Sequence, residues 1–265
     1  MNIDFIPVWL LFVGTIVLVI LSIEVGFRLG NVALRRSPEE KESPVSAMAG
    51  AVLGLTAFVL AFTFGIVSDR YDSRKELVRE EANAIRTAAL RSDFLPEQDR
   101  AQAMAHFKEY LDLRLELAQS GNIDNVPHVL SETKRIQDQL WLMAVVNARK
   151  DMNSDVAALY IDSLNQVIDI HALRVAVGVQ ARVPIGIWIV LYSLTILGMM
   201  GVGYQTGIAG SKRSMARPIL ALSFSLVFML IASLDRPGSR IMTVTQQPLI
   251  DLRNSMDTAI ERGSQ

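Results

Sequence analysis

Cysteine is missing from the chain altogether. A disulfide framework, a thiolate metal site and a cysteine nucleophile are thereby excluded. Histidine is nearly as scarce: His106, His128 and His171 stand far apart with no H-E-x-x-H spacing, so each reads as a core or surface imidazole and not as a metal ligand. No G-x-S-x-G occurs, and no serine has a base visible in the sequence. The run G-V-G-Y-Q-T-G, Gly201 to Gly207, follows an apolar segment and not a strand and misses the P-loop lysine. It reads as close helix packing or a supple loop. No enzyme and no cofactor is indicated. The net charge is only -1, so nothing global attracts nucleic acid, and charge must act through its placement.

What is abundant is apolar sequence: 51% of residues are hydrophobic and 20% charged, too greasy for an ordinary soluble domain and too charged to lie wholly in lipid. Four segments, Phe5 to Ile23, Ala47 to Ser68, Pro184 to Tyr204 and Pro218 to Leu234, approach the ~20 apolar residues needed to cross ~30 Å of hydrocarbon. No basic residue precedes Phe5 and no small-x-small site follows before Arg28, so the first segment reads as a retained span and not a signal peptide. The reading is an all-α membrane protein: spans one and two in 1–68, an extramembrane helical domain in 69–182, spans three and four in 183–235, and a tail in 236–265.

The domain reads as helical throughout. Val78, Ala82, Ile85 and Ala89 share one face, Met104, Phe107, Leu111 and Leu115 another, and Val156, Leu159, Val167 and Ile170 a third. Breaks are expected at Leu95-Pro96, over Gln119 to Pro127, and near Asp151 to Ser154. The first and last of its three or four helices should run on into the spans themselves. Arg28, Arg35, Arg36 and Lys41 flank the short loop Gly30 to Ser46, and Lys212, Arg213 and Arg217 lie in the loop Gln205 to Arg217. The positive-inside rule puts these loops in the cytoplasm of a bacterial inner membrane and both termini and the helical domain outside it.

Span two carries the chemistry that the other spans lack. Gly50, Gly54, Ala57, Ala61 and Gly65 form a small-residue stripe suited to close helix approach, and Phe58 and Phe62 stack beside it with Gly54 above and Ile66 below. Several copies of such a span about an axis make an aromatic constriction that gates by dewetting. Past it, Asp69, Arg70, Asp72 and Arg74 begin a charged stalk, and Asp235 and Arg236 follow the shortest span at a proline, Pro237, where pairing with the stalk is expected.

These residues carry a resemblance. F-V-L-A-F (Phe58 to Phe62), R-Y-x-x-R-K (Arg70 to Lys75) and L-D-R-P-G (Leu234 to Gly238), in that order, resemble bestrophin anion channels; E-A-N-A-I, Glu81 to Ile85 with Asn83 at its centre, resembles the bacterial bestrophin-like membrane proteins more closely. The resemblance implies a homo-oligomer, five-fold in bestrophins, embedded in lipid and conducting small ions, most plausibly anions, with Gly54, Phe58, Phe62 and Ile66 lining a neck. It implies structural roles for Arg70, Arg74, Glu81, Asn83, Asp235, Arg236 and Pro237. The tail lacks the acidic run of the animal calcium clasp, so calcium activation does not carry over, and bestrophins keep their helical domain in the cytosol, opposite to the charge rule. The alternative is a non-conducting membrane-anchored scaffold or sensor with an extracytoplasmic helical domain.

Overall fold

A computed structural model describes residues 6–36, 42–120, 125–210, 216–236 and 242–263. The described residues are helical and contain no strand: α1 Val8–Arg36, α2 Glu42–Arg91, α3 Glu97–Ser120, α4 Val126–Ala148, α5 Asp155–Val175, α6 Ile185–Ile208, α7 Ala216–Asp235 and α8 Gln247–Gly263. Four of them, α1, α2, α6 and α7, are long and apolar enough to cross a membrane. The chain divides into two compact units, Met1–Tyr71 with Arg182–Met242, and Asp72–Ala181 with Thr243–Gln265. The 50 residues of α2 contribute to both.

In the first unit α1 packs against α6 and α7. The approach of α1 to α6 depends on glycine from both sides: a methyl group placed on Gly203 would lie 2.9 Å from the Ile23 carbonyl carbon and the Phe27 nitrogen, and one on Gly207 would lie 2.6 Å from the Phe27 carbonyl oxygen. Gly26 and Gly30 face Met200 and Tyr204 in the same way. Gly201 to Gly207 is thus helix with a packing role, and Gly210, at φ +62°, is where the chain turns out of it. Around this seam Val19, Ile23, Met199 and Ala221 are buried, and Leu60, Val67, Trp188, Leu191, Phe228 and Ile231 fill a second cluster. The hydroxyls of Thr56, Thr63, Thr195 and Ser225 each donate to the carbonyl four residues back, at 2.7–2.8 Å, so they are satisfied inside their own helices.

In the second unit Val78, Ala82, Ile85 and Ala89 of α2 meet Phe107, Leu111 and Leu115 of α3, Ile136 and Leu140 of α4, and Leu164 and Val167 of α5. The helices break close to where proline and small polar residues predict: a 3-10 turn at Ser92–Phe94 before Pro96, and an N-cap at Ser154, whose hydroxyl accepts from the Ala157 N–H.

Four expectations are corrected. The inward face of α5 is Tyr160, Ser163, Leu164, Val167 and His171, while Val156 and Leu159 are exposed; polar tips on Tyr, Ser and His hid a core stripe that apolar periodicity alone could not register. The last helix of the domain does not run on into span three, because a π-helical turn, Ala176–Gln180, and a short extended segment ending at Pro184 intervene. Residues 247–263, read as tail, form α8, whose Leu249, Leu252 and Met256 are buried in the second unit. The stretch 30–36 is also helical, so the first loop is shorter than the run from Gly30 to Ser46.

Candidate pore helix and buried ionic hub

Within the first unit α2 shows two opposite faces. Ala49, Thr56, Leu60, Thr63 and Val67 point inward and are buried. At about 100° per residue Phe58 stands roughly 160° from Leu60, and it is 68% exposed, with Phe62 at 66%. Gly54 is exposed and Ile66 half-buried. Methyl groups added to Gly50, Gly54 or Gly65 meet nothing within 4 Å, and Ala57 and Ala61 are exposed. The small-residue stripe of span two is therefore unused among the described residues; the close approach inside the chain is made by Gly26, Gly30, Gly203 and Gly207.

The outward face of α2 is richer in small residues than those of its neighbours. α1 exposes Trp9, Val13, Val17, Ile20 and Leu21, and α7 exposes Ile219, Leu222 and Leu226, the bulky side chains that suit acyl chains. α2 also exposes Met48, Leu55 and Phe64, but beside Phe58 and Phe62 it presents Gly54, Ala57 and Ala61.

At the end of the apolar stretch, Asp235 closes α7. Its carboxylate accepts from the Val183 N–H at 3.1 Å and from the Arg70 guanidinium at 3.3 Å. The Val183 amide belongs to the non-helical segment before Pro184, where no helical carbonyl is available, so the acid supplies the missing acceptor. Arg70 is thereby committed within its own unit, and Arg236 donates to the Ile6 carbonyl at 2.5 Å. Pro237 lies outside the described residues. Lys75 pairs with Asp72 at 3.2 Å on the exposed side of α2, an i,i+3 contact of small value.

The second unit holds a feature whose arrangement the sequence did not disclose. Glu81, the first residue of E-A-N-A-I, is fully buried. It accepts from the Tyr110 hydroxyl at 2.6 Å and from Arg174, and Arg114 Nε lies 3.4 Å from Oε1. His171 Nδ1 stands 3.3 Å from the same tyrosine oxygen, and Arg174 also donates to Gln246 at 3.3 Å. Burial pushes the Tyr110 phenol up to about 12. Burial and the Arg114 charge hold the His171 imidazole down to about 4, so it is neutral at ordinary pH. Arg74 is buried in this unit and Asn83 is exposed. Nothing among the described residues groups His, Asp or Glu as a metal site.

The architecture is that of an all-α, four-span membrane protein with a helical domain inserted between the second and third spans. A family model described as Bestrophin-like domain matches residues 11–249, and the chain belongs to that family. Crystal structures of single-site variants of a bacterial bestrophin homologue from Klebsiella pneumoniae share the fold. One has a TM-score of 0.64 at 14% identity, covering 96% of this chain and 99% of the other; a second has 0.63 at 15%, covering 93% and 96%. A structure described only as a membrane protein variant matches at 0.63 and 15%, covering 93% and 96%. No curated protein matches.

Proposed function

We propose that the protein assembles as a homo-oligomer about α2 and conducts small ions, anions in preference, through a neck formed by Phe58 and Phe62. One observation carries the reading: a helix buried along Thr56, Leu60, Thr63 and Val67 leaves its opposite face, with glycine and alanine next to Phe58 and Phe62, without a partner among the described residues. In lipid such a face is made for another helix at close range, because association there rests on packing and not on hydrophobic expulsion. Converging rings then exclude water while offering their positive edges to an anion. Gly54 widens the approach and Ile66 lies a turn below.

The location is a bacterial inner membrane, with the helical domain and termini outside it. An impermeant maleimide should label a cysteine placed at Ser120 in intact cells and spare one placed at Arg36. The opposite pattern assigns the domain to the cytosol.

Conduction is tested by replacing Phe58 and Phe62 together with alanine. Chloride efflux from reconstituted liposomes should rise and selectivity fall, with the oligomer unchanged in size-exclusion chromatography. A wild type without flux, and a double variant that merely loses stability, leaves the non-conducting scaffold as the function.

A further inference from the structure

Around Glu81 the second unit gathers more cationic charge than it neutralises. One carboxylate faces two guanidinium groups, Arg114 from α3 and Arg174 from α5, so the cluster carries -1 +2 = +1. The other polar groups on it, Tyr110, His171, Gln137 and Gln246, add none, since His171 is neutral above about 4. The two arginines are not equally served. Arg174 has Glu81 and Gln246. Arg114, only 8% exposed, has the 3.4 Å approach of its Nε to Glu81, which lacks hydrogen-bond geometry, and that buried Nε has no hydrogen-bond partner among the described residues. A second buried donor in the same surroundings, Nε2 of Gln137, approaches the Tyr110 phenol without a hydrogen bond of good geometry.

Donors in excess and charge in excess coincide at Arg114. Water can satisfy an N–H, but it leaves the buried positive charge standing, and an uncompensated buried charge is among the costliest features a helical core can hold. A small anion answers both deficits at once. Lysine is a poor substitute there, whereas the planar fork of arginine suits a halide or a small oxyanion held by more than one N–H.

We propose that the Arg114 guanidinium, beside Glu81 and Gln137, is a binding site for one small monovalent inorganic anion within the helical domain. The site is separate in sequence from the exposed face of α2 and does not depend on conduction. Its occupancy stabilises the fold of the second unit, and the readout is thermal stability and not flux.

The test compares melting of the purified full-length protein in detergent at pH 8, at constant ionic strength, as sodium gluconate is replaced by chloride. Gluconate serves as the bulky reference anion. Chloride well above its half-saturating concentration should raise the melting temperature by about 3–6 °C. Arg114→Gln should abolish that rise. Glu81→Gln, which takes the cluster from +1 to +2, should shift half-saturation to lower chloride. Equal melting of the wild type in the two salts overturns the proposal, as does a chloride response that survives in Arg114→Gln and so reports general salt. Should the variants fail to fold, crystals of the wild type grown in bromide decide the matter: an anomalous peak against the Arg114 guanidinium supports the site, and its absence there refutes it.

Discussion

Adding one methyl group at Gly203 and one at Gly50 should have opposite consequences for the chain, although both glycines lie in apolar spans. At Gly203 the new carbon would sit 2.9 Å from the Ile23 carbonyl carbon and from the Phe27 nitrogen, where about 3.5–4.0 Å is the ordinary separation of carbon atoms. The Ile23 carbonyl oxygen lies nearer still, and all three obstacles are backbone of α1, so no side chain can rotate away. The helices must part by roughly 0.6–1.1 Å, and a gap of that size forfeits a quarter to a half of each dispersion contact along the seam. Overpacking of this kind costs about 1–3 kcal/mol, and the better helix propensity of alanine returns up to about 1. A net loss of about 1–2 kcal/mol corresponds to a fall in melting temperature of about 2–8 °C for a chain of this size.

Gly50 has nothing within 4 Å, so Gly50→Ala keeps the propensity gain and meets no clash inside the chain. Its methyl group can disturb only a neighbouring molecule. The assay is thermal unfolding in detergent followed by tryptophan fluorescence, with Trp188 of α6 buried in the first unit as a reporter, and with light scattering to record assembly. Gly203→Ala should melt early; Gly50→Ala should melt normally as a monomer and show its defect in the oligomer. Equal destabilisation of the two variants in preparations shown to be monomeric would refute the assignment of one glycine pair to the fold and the other to an outer surface.

Two further perturbations test the charged groups. Asp235→Asn keeps an acceptor for the Val183 N–H but removes the countercharge of Arg70, which is 28% exposed and so partly screened; a loss of roughly 1–3 kcal/mol is expected in chemical unfolding. His171 titrates at about 4 when folded and near ~6.5 unfolded, so between those values the unfolded chain binds more protons. Stability should therefore be complete above about pH 6.5, decline as pH falls, and stop declining from this source below about 4, with a total on the order of 3 kcal/mol. His171→Phe should flatten that part of the pH profile of the melting temperature.

The parts of the fold legible in the sequence are those where a single physical requirement leaves a long trace. A span must be apolar for its whole length, so α1, α2, α6 and α7 show themselves without further information, and the faces of α2 and α3 buried in the second unit repeat at helical spacing. α8 left a weaker trace because its core contribution is Leu249, Leu252 and Met256 amid polar residues, a stripe too narrow to separate from a solvated tail. The buried face of α5 is obscured for a similar reason: Tyr160, Ser163 and His171 occupy core positions with atoms that hydropathy counts as polar.

Sites pose a harder problem, because they depend on which distant residues meet. E-A-N-A-I marks Glu81, yet nothing in that motif names its companions, which lie 29 residues on for Tyr110 and 93 for Arg174. One signal was available: a glutamate at 81 falls between Val78 and Ile85 on the apolar stripe of α2, where an acid is tolerated only if cations are brought to it. The same reasoning applied to Arg114, between Leu111 and Leu115 on the buried side of α3, points to the partner helix. An acid and a base each embedded in a core stripe are a sequence-level sign of a buried ionic cluster, and counting them shows its sign as well: with Arg174 added, the second unit is left with one more buried cation than acid around Glu81. That excess of one positive charge around Glu81 is the ground for tying the stability of the helical domain to a small anion at Arg114.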